Sequence, residues 1–112
     1  MLKRKNCLKR EKDFEMIFRK GEGFKEGFLF LKHTPNRLGE SRCGIIVSRK
    51  ISKKATVRNK IKRRIRAVIS QKLQEIKKGK DFILVALPGL ETDGFCEIEE
   101  TINRLLKKAN LL

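Results

Sequence analysis

The chain has 112 residues and a mass of 13.0 kDa, with 29 Lys or Arg against 13 Asp or Glu and a formal net charge of +16. That length suits one domain burying about two-thirds of its unfolded surface, so metals and disulfides are not required for stability. The charge ranks the partner classes: nucleic acid first, an anionic membrane second, acidic proteins third. The first residues, Met1-Leu2-Lys3-Arg4-Lys5, are basic with no apolar run behind them. No signal peptide is expected, and no stretch is long enough to span a bilayer. Cys7, Cys43 and Cys96 are odd in number and far apart. They favour a reducing, cytoplasmic setting over a disulfide framework and read as small buried or half-buried residues. One histidine, His33, and no C-x-x-C spacing argue against structural zinc.

Met1 to Lys12 is polar and basic and is expected to be extended. A short helix follows from Glu11 to Lys20, with Phe14, Ile17 and Phe18 on one face and Gly21 as its stop. From the residues alone, both phenylalanines read as core. Gly21 to Lys25 reads as a short edge strand and Phe28 to Thr34 as a second strand. Pro35 to Gly39 is a turn. Ser41 to Ser48 is a third strand, with Ile45 and Val47 on one face and Ile46 on the other. His33 falls at a strand end without an evident partner. A long basic helix is expected to run to about Lys78, with Gly79 as its stop. Asp81 to Leu87, DFILVAL, is almost wholly apolar and reads as a central strand covered on both faces. Ile98, Ile102, Leu105, Leu106 and Ala109 outline a last amphipathic helix, with Glu97, Glu99 and Glu100 early and Lys107 and Lys108 late, as the macrodipole favours. Five of the 13 acids lie between Glu91 and Glu100, so a polyanion surface is expected elsewhere.

That surface is concentrated in Arg49 to Arg66, RKISKKATVRNKIKRRIR, where ten of eighteen residues are Lys or Arg and none is acidic. Val57, Ile61, Ile65, Val68, Ile69, Leu73 and Ile76 recur at helical spacing, so one arc is buried. Asn59, Lys62, Arg63 and Arg66 fall on the opposite arc. A disordered basic tail would lack the apolar stripe, and a solubility face would mix both signs. The order R-N-x-x-K-R-x-x-R places Arg58 and Asn59 on the first turn, where helix N–H groups are free to meet phosphate. Arg63 and Arg66 stand one and two turns on, each with a planar fork that grips phosphate. Such a face suits nucleic acid.

This order resembles the RNR motif of the bacterial ribonuclease P protein family. Ile46-Val47-Ser48-Arg49-Lys50 before it is similar to the family's V-S-K-K. The resemblance covers residues 1–112 as a single domain. It implies an α+β fold, an α/β two-layer sandwich of order α-β-β-β-α-β-α. The family's left-handed βαβ crossover runs against the general right-handed preference. It further implies a protein that joins a catalytic RNA and promotes endonucleolytic removal of the 5′ leader from precursor tRNA. Catalysis would rest on Mg²⁺ held mainly by the RNA subunit, with no protein partner required. Arg58, Asn59, Lys62, Arg63, Arg66, Lys53 and Lys54 would bind the RNA subunit. Phe14, Phe18, Arg49 and Lys50 would line a leader-binding cleft. Three departures stand out: one residue inserted near Ser52-Lys53-Lys54, Cys7 in place of a common arginine, and Ala67 in place of a frequent acid. No residue looks catalytic by itself, since there is no histidine pair, acid triad or nucleophile with a base. The alternative is a structural RNA-binding protein of ribosomal type. A helix-based DNA reader is disfavoured because groove-reading motifs usually pair helices. A membrane-surface protein is disfavoured by the absence of tryptophan.

Overall fold

The computed structural model describes residues 3–112; Met1 and Leu2, which begin the basic N-terminal run, lie outside the described residues. After a 3-10 turn at Arg4–Asn6 come α1 (Glu11–Lys20), β1 (Glu22–Glu26), β2 (Leu29–Pro35), β3 (Arg42–Val47), α2 (Ala55–Lys72) and β4 (Lys80–Ala86). A second 3-10 turn at Leu90–Thr92 leads into α3 (Phe95–Lys108). The expected α-β-β-β-α-β-α order of a mixed α+β fold is present.

The sheet runs in the order β1-β2-β4-β3. β4 pairs antiparallel with β2 and parallel with β3, so the apolar DFILVAL run is central, and Phe82, Ile83, Leu84 and Ala86 are buried. β1 is an edge strand, as its polar sequence anticipates. On one sheet face, Leu29, Leu31, Cys43, Val47, Phe82 and Leu84 pack against Ile61, Ile65, Val68 and Ile69 of α2 and the apolar stripe of α3. On the other, Ile83 meets Ile17 of α1 and Leu8, with Phe14, Ile46 and Val85 half-buried around them. Ile45 and Val47 thus face α2 while Ile46 faces α1, as the period-2 pattern requires.

This packing lets α2 exist at all. Each buried aliphatic side chain contributes about 1.5–3 kcal/mol. A like-charged i,i+4 pair such as Arg58 and Lys62 costs only about 0.2–0.5 kcal/mol. Four buried residues on α2 therefore outweigh the self-repulsion of its cationic face.

Three expectations are corrected. First, α2 ends at Lys72, not near Lys78. One further turn is closed by the Ile76 N–H on the Lys72 carbonyl, which keeps Ile76 in the core. The Lys77 N–H then goes to the Leu111 carbonyl, and the Ser41 hydroxyl donates to the Lys77 carbonyl at 2.5 Å. Tertiary partners thus take the groups that would continue the helix. Gly79, at φ +80°, shapes the turn into β4 instead of stopping the helix. Second, the N-terminal segment is not simply extended. After its 3-10 turn, Cys7 forms a parallel bridge with Cys43, and the Leu8 N–H donates to the Cys43 carbonyl at 3.0 Å. Third, Cys96 is exposed, whereas Cys43 is buried and Cys7 half-buried.

One polar network is buried beside this core. Arg42 grips Asp81 with two bonds, Nε to Oδ1 at 2.9 Å and Nη2 to Oδ2 at 2.6 Å. Asn36 adds a third donor to Asp81 at 2.6 Å, and Arg42 also reaches Asp13 of α1 at 3.5 Å. The network ties α1 to β3 and β4 and so fixes how α1 lies across the sheet.

Candidate nucleic-acid interface

Thr56, Asn59, Lys62, Arg63 and Arg66 of α2 line one shallow groove, with no carboxylate among its walls. Their spacing of three and four residues puts them on a single arc, opposite the buried Ile61, Ile65, Val68 and Ile69. Asn59, Arg63 and Arg66 are exposed and Lys62 is half-buried. Arg offers a planar five-donor fork and Asn both a donor and an acceptor. The groove is therefore a row of donors with positive potential, shaped to follow a phosphate backbone.

Arg58 behaves differently. Its Nη1 donates to the Ser52 carbonyl at 2.8 Å, which fastens the loop before α2 to the helix. Two serine turns stiffen the same loop, Lys50 N–H to Ser48 Oγ at 3.3 Å and Lys54 N–H to Ser52 Oγ at 3.2 Å. Ile51 anchors it in the core. The loop before α2 is thus pinned, and it presents Arg49, Lys50, Lys53 and Lys54 outward. Arg49, Lys50 and Lys53 share one recess with Arg58, so the two groups separated by sequence meet here. The first-turn expectation also needs correcting. The Arg58 N–H is already bonded to the Lys54 carbonyl and the Val57 N–H reaches the same oxygen, so the free donors belong to Ala55 and Thr56.

Phe14 and Phe18 share a face of α1 but not an environment. Phe14 is half-buried on Gly44, where a Cβ would stand 2.5 Å from its ring. Only glycine at this position of β3 lets the ring lie flat against the sheet. Phe18 is 39% exposed, with the Lys32 ammonium 5.9 Å from its ring centroid. The same ammonium donates to the Phe18 carbonyl at the end of α1. The reading of both rings as core therefore fails for Phe18.

Beside α1 the sheet carries a half-buried apolar row of which the alternation in β3 singled out only Ile46: Phe30 pairs with Val85, and Val85 with Ile46. Alternation along each strand is the signal that could have found it. A small recess lined by Phe14, Gly44, Cys7, Cys43, Lys62 and Arg66 joins this side of the molecule to the α2 groove. Burial pushes the Cys43 thiol well above its ordinary range, with the Cys7 thiol adding and Arg66 opposing, so Cys43 acts as an inert filler there.

The comparisons with known proteins agree. A family model described as Ribonuclease P matches residues 2–110. The ribonuclease P protein component of Streptococcus pneumoniae (strain Hungary19A-6) is 34% identical over 110 residues, covering 98% of this chain and 89% of that protein. The RNase P protein of Staphylococcus aureus is similar in structure, with a TM-score of 0.89 at 29% identity over 95% of this chain and 96% of that one. The RNase P protein of Thermotoga maritima has a TM-score of 0.83 at 31% identity over 91% and 96%. With its fold, its cationic helix and nearly its whole length matched, the chain belongs to the ribonuclease P protein family, the protein component of an endoribonuclease complex that processes tRNA.

Proposed function

We propose that this chain grips the catalytic RNA through the α2 groove and holds the 5′ leader of precursor tRNA against α1 and the open part of the sheet. The observation that carries this reading is the acid-free groove of Thr56, Asn59, Lys62, Arg63 and Arg66. Lys53 and Lys54 extend the cationic surface from the loop, and Arg58 positions that loop through Ser52. Phosphate contacts of this kind set affinity and orientation without reading sequence. Phe18 on α1 and the half-buried row of Phe30, Val85 and Ile46 on the sheet would offer unpaired leader bases apolar, stackable surface that tolerates any sequence. Arg49 and Lys50, past the end of β3, would hold the leader's phosphates.

Hydrolysis itself is assigned to the RNA. No three His, Cys, Asp or Glu side chains among the described residues gather as a metal site, and the groove offers only cationic or amide groups. The groove thus offers a divalent cation no anionic ligand, and the ions are proposed to sit on RNA oxygens, which are hard ligands suited to them.

The test is the salt dependence of binding to the cognate RNA subunit. Each phosphate neutralised should contribute roughly −0.7 to −0.9 to the log–log slope. Arg63→Gln with Arg66→Gln should flatten that slope by about two contacts while leaving the thermal transition in place. An unchanged slope would remove α2 from the RNA contact.

A further inference from the structure

The arc of α2 that carries the motif does not stop at Arg66. Counting 100° per residue, Ser70 falls within the same third of the helix as Asn59, Lys62, Arg63 and Arg66, and Leu73 and Gln74 follow directly past the helix end at Lys72. They end in a second concavity, of about 290 Å³, at the far end of the helix. Its walls include Ser70 from α2, Gln74 from the turn after it, Lys3 and Lys5 from the N-terminal segment, and Lys78 from the connection to β4. Nothing in the motif anticipates this site, because three stretches far apart in sequence build it.

The site is rigid. Asn6, 2% exposed, donates its Nδ2 to the Ser41 carbonyl at 2.8 Å and so fastens the N-terminal segment to the sheet. Ser41, equally buried, bonds the Lys77 carbonyl and receives the Lys80 N–H at 3.2 Å, which holds the Lys78 connection. Ile76 forms an apolar floor. The one acid, Glu40, is engaged by Lys5 at 3.2 Å, and that bond holds its carboxyl below the usual range, with Lys78 adding to the effect. Lys3 and Lys78 form no ion pair among the described residues and remain available to a ligand. Two lysines, a hydroxyl and a primary amide around an apolar floor match one nucleotide of an RNA strand: phosphate to the ammonium groups, ribose hydroxyl to Ser70 or Gln74.

We propose that this pocket is a second contact for the RNA subunit, so that the RNA backbone tracks the whole of α2, roughly 27 Å for its 18 residues at 1.5 Å per residue, and reaches the turn beyond it. The proposal rests on the reading of the α2 groove as an RNA surface. The RNA subunit is favoured over precursor tRNA because the pocket continues the α2 arc and lies on neither α1 nor the open apolar row.

The test uses the full chain with its cognate RNA subunit. Lys3→Gln with Lys78→Gln should flatten the log–log salt slope by roughly 1.5 and weaken binding by at least about tenfold. Hydroxyl-radical cleavage should reopen RNA sites distinct from those reopened by Arg63→Gln with Arg66→Gln. Gln74→Lys, which adds a cation at the pocket mouth, should steepen the slope by nearly one. These side chains are outside the core, so the thermal transition should be unchanged. If the motif variant loses affinity while both pocket variants bind and footprint as wild type, the pocket proposal fails and the motif reading stands. If neither set changes binding, both fail. If the lysine variant alters only precursor-tRNA binding by the assembled holoenzyme, the assignment to the RNA subunit is wrong.

Discussion

Replacing Phe18 by alanine should separate leader recognition from folding. Phe18 is 39% exposed and belongs to neither buried cluster, so removing its ring opens no core cavity. Surface substitutions of this kind usually change stability by no more than about 0.5 kcal/mol. A base stacked on an aromatic ring contributes about 1–3 kcal/mol. At about 1.4 kcal/mol per factor of ten, Phe18→Ala should weaken holoenzyme binding to precursor tRNA by about 5- to 150-fold. Mature tRNA has no leader, so its affinity should stay within about twofold. Phe18→Tyr keeps the ring and should bind as wild type. Equilibrium binding of end-labelled precursor and mature tRNA to reconstituted holoenzyme measures the contrast, with the thermal transition recorded alongside. Equal losses for both RNAs, or a lowered transition with no selective loss, would refute leader stacking on this ring. Phe14→Ala is a poorer probe, because that ring is half-buried on Gly44 and its removal costs core packing as well.

Three further outcomes follow from the packing. Gly44→Ala puts a methyl 2.5 Å from the Phe14 ring and should cost about 1–3 kcal/mol as the ring is displaced, read by urea unfolding; a neutral result would mean that the ring moves freely. Asp81→Asn leaves Arg42 without its two-bond partner and should cost about 3 kcal/mol, the lower end for a buried pair, because Asp13 still holds the guanidinium. His33 stacks on Phe24 with ring centroids 5.7 Å apart, and neither ring nitrogen has a partner among the described residues. Burial first, then the charge of Lys80, lowers its pKa below 6.5, against a smaller opposing effect of Glu22. Above pH 6.5 the ring is neutral in both states and has no pH effect. Below it the unfolded chain takes up a proton that the folded chain refuses, so stability should fall as the pH drops from 6.5 towards the lowered folded value. His33→Phe should abolish that part of the acid sensitivity, and an unchanged pH profile would show that His33 is not its source.

Local patterns carried much of this fold. The bounds of α1 coincide with those expected from its apolar face, the early acids Glu11 and Asp13, and Gly21. The unbroken apolar run of β4 marked it as central, and the alternation in β3 assigned Ile45 and Ile46 to opposite faces. The groove residues of α2 were legible because spacing alone fixes which side chains share a helix face. Long-range groups escaped. The end of α2 depends on Leu111 and Ser41 taking up the backbone of Lys77, which no helical window contains. Arg58 matches the motif by position, yet its guanidinium is engaged by Ser52. Periodicity put Phe14 and Phe18 on one face but could not give depth, which Gly44 sets for one ring and Lys32 for the other.

The central claim is that this chain is a working component of a tRNA-processing ribonucleoprotein whose chemistry resides in RNA. The most direct measurement is cleavage of 5′-labelled precursor tRNA by the cognate RNA subunit at limiting Mg²⁺, with and without the purified chain. Adding the chain should restore a single cut at the 5′ end of the mature sequence, and Arg63→Gln with Arg66→Gln should reduce that restoration. No stimulation at any protein concentration, or cleavage at the same bond by the chain without RNA, would contradict the account.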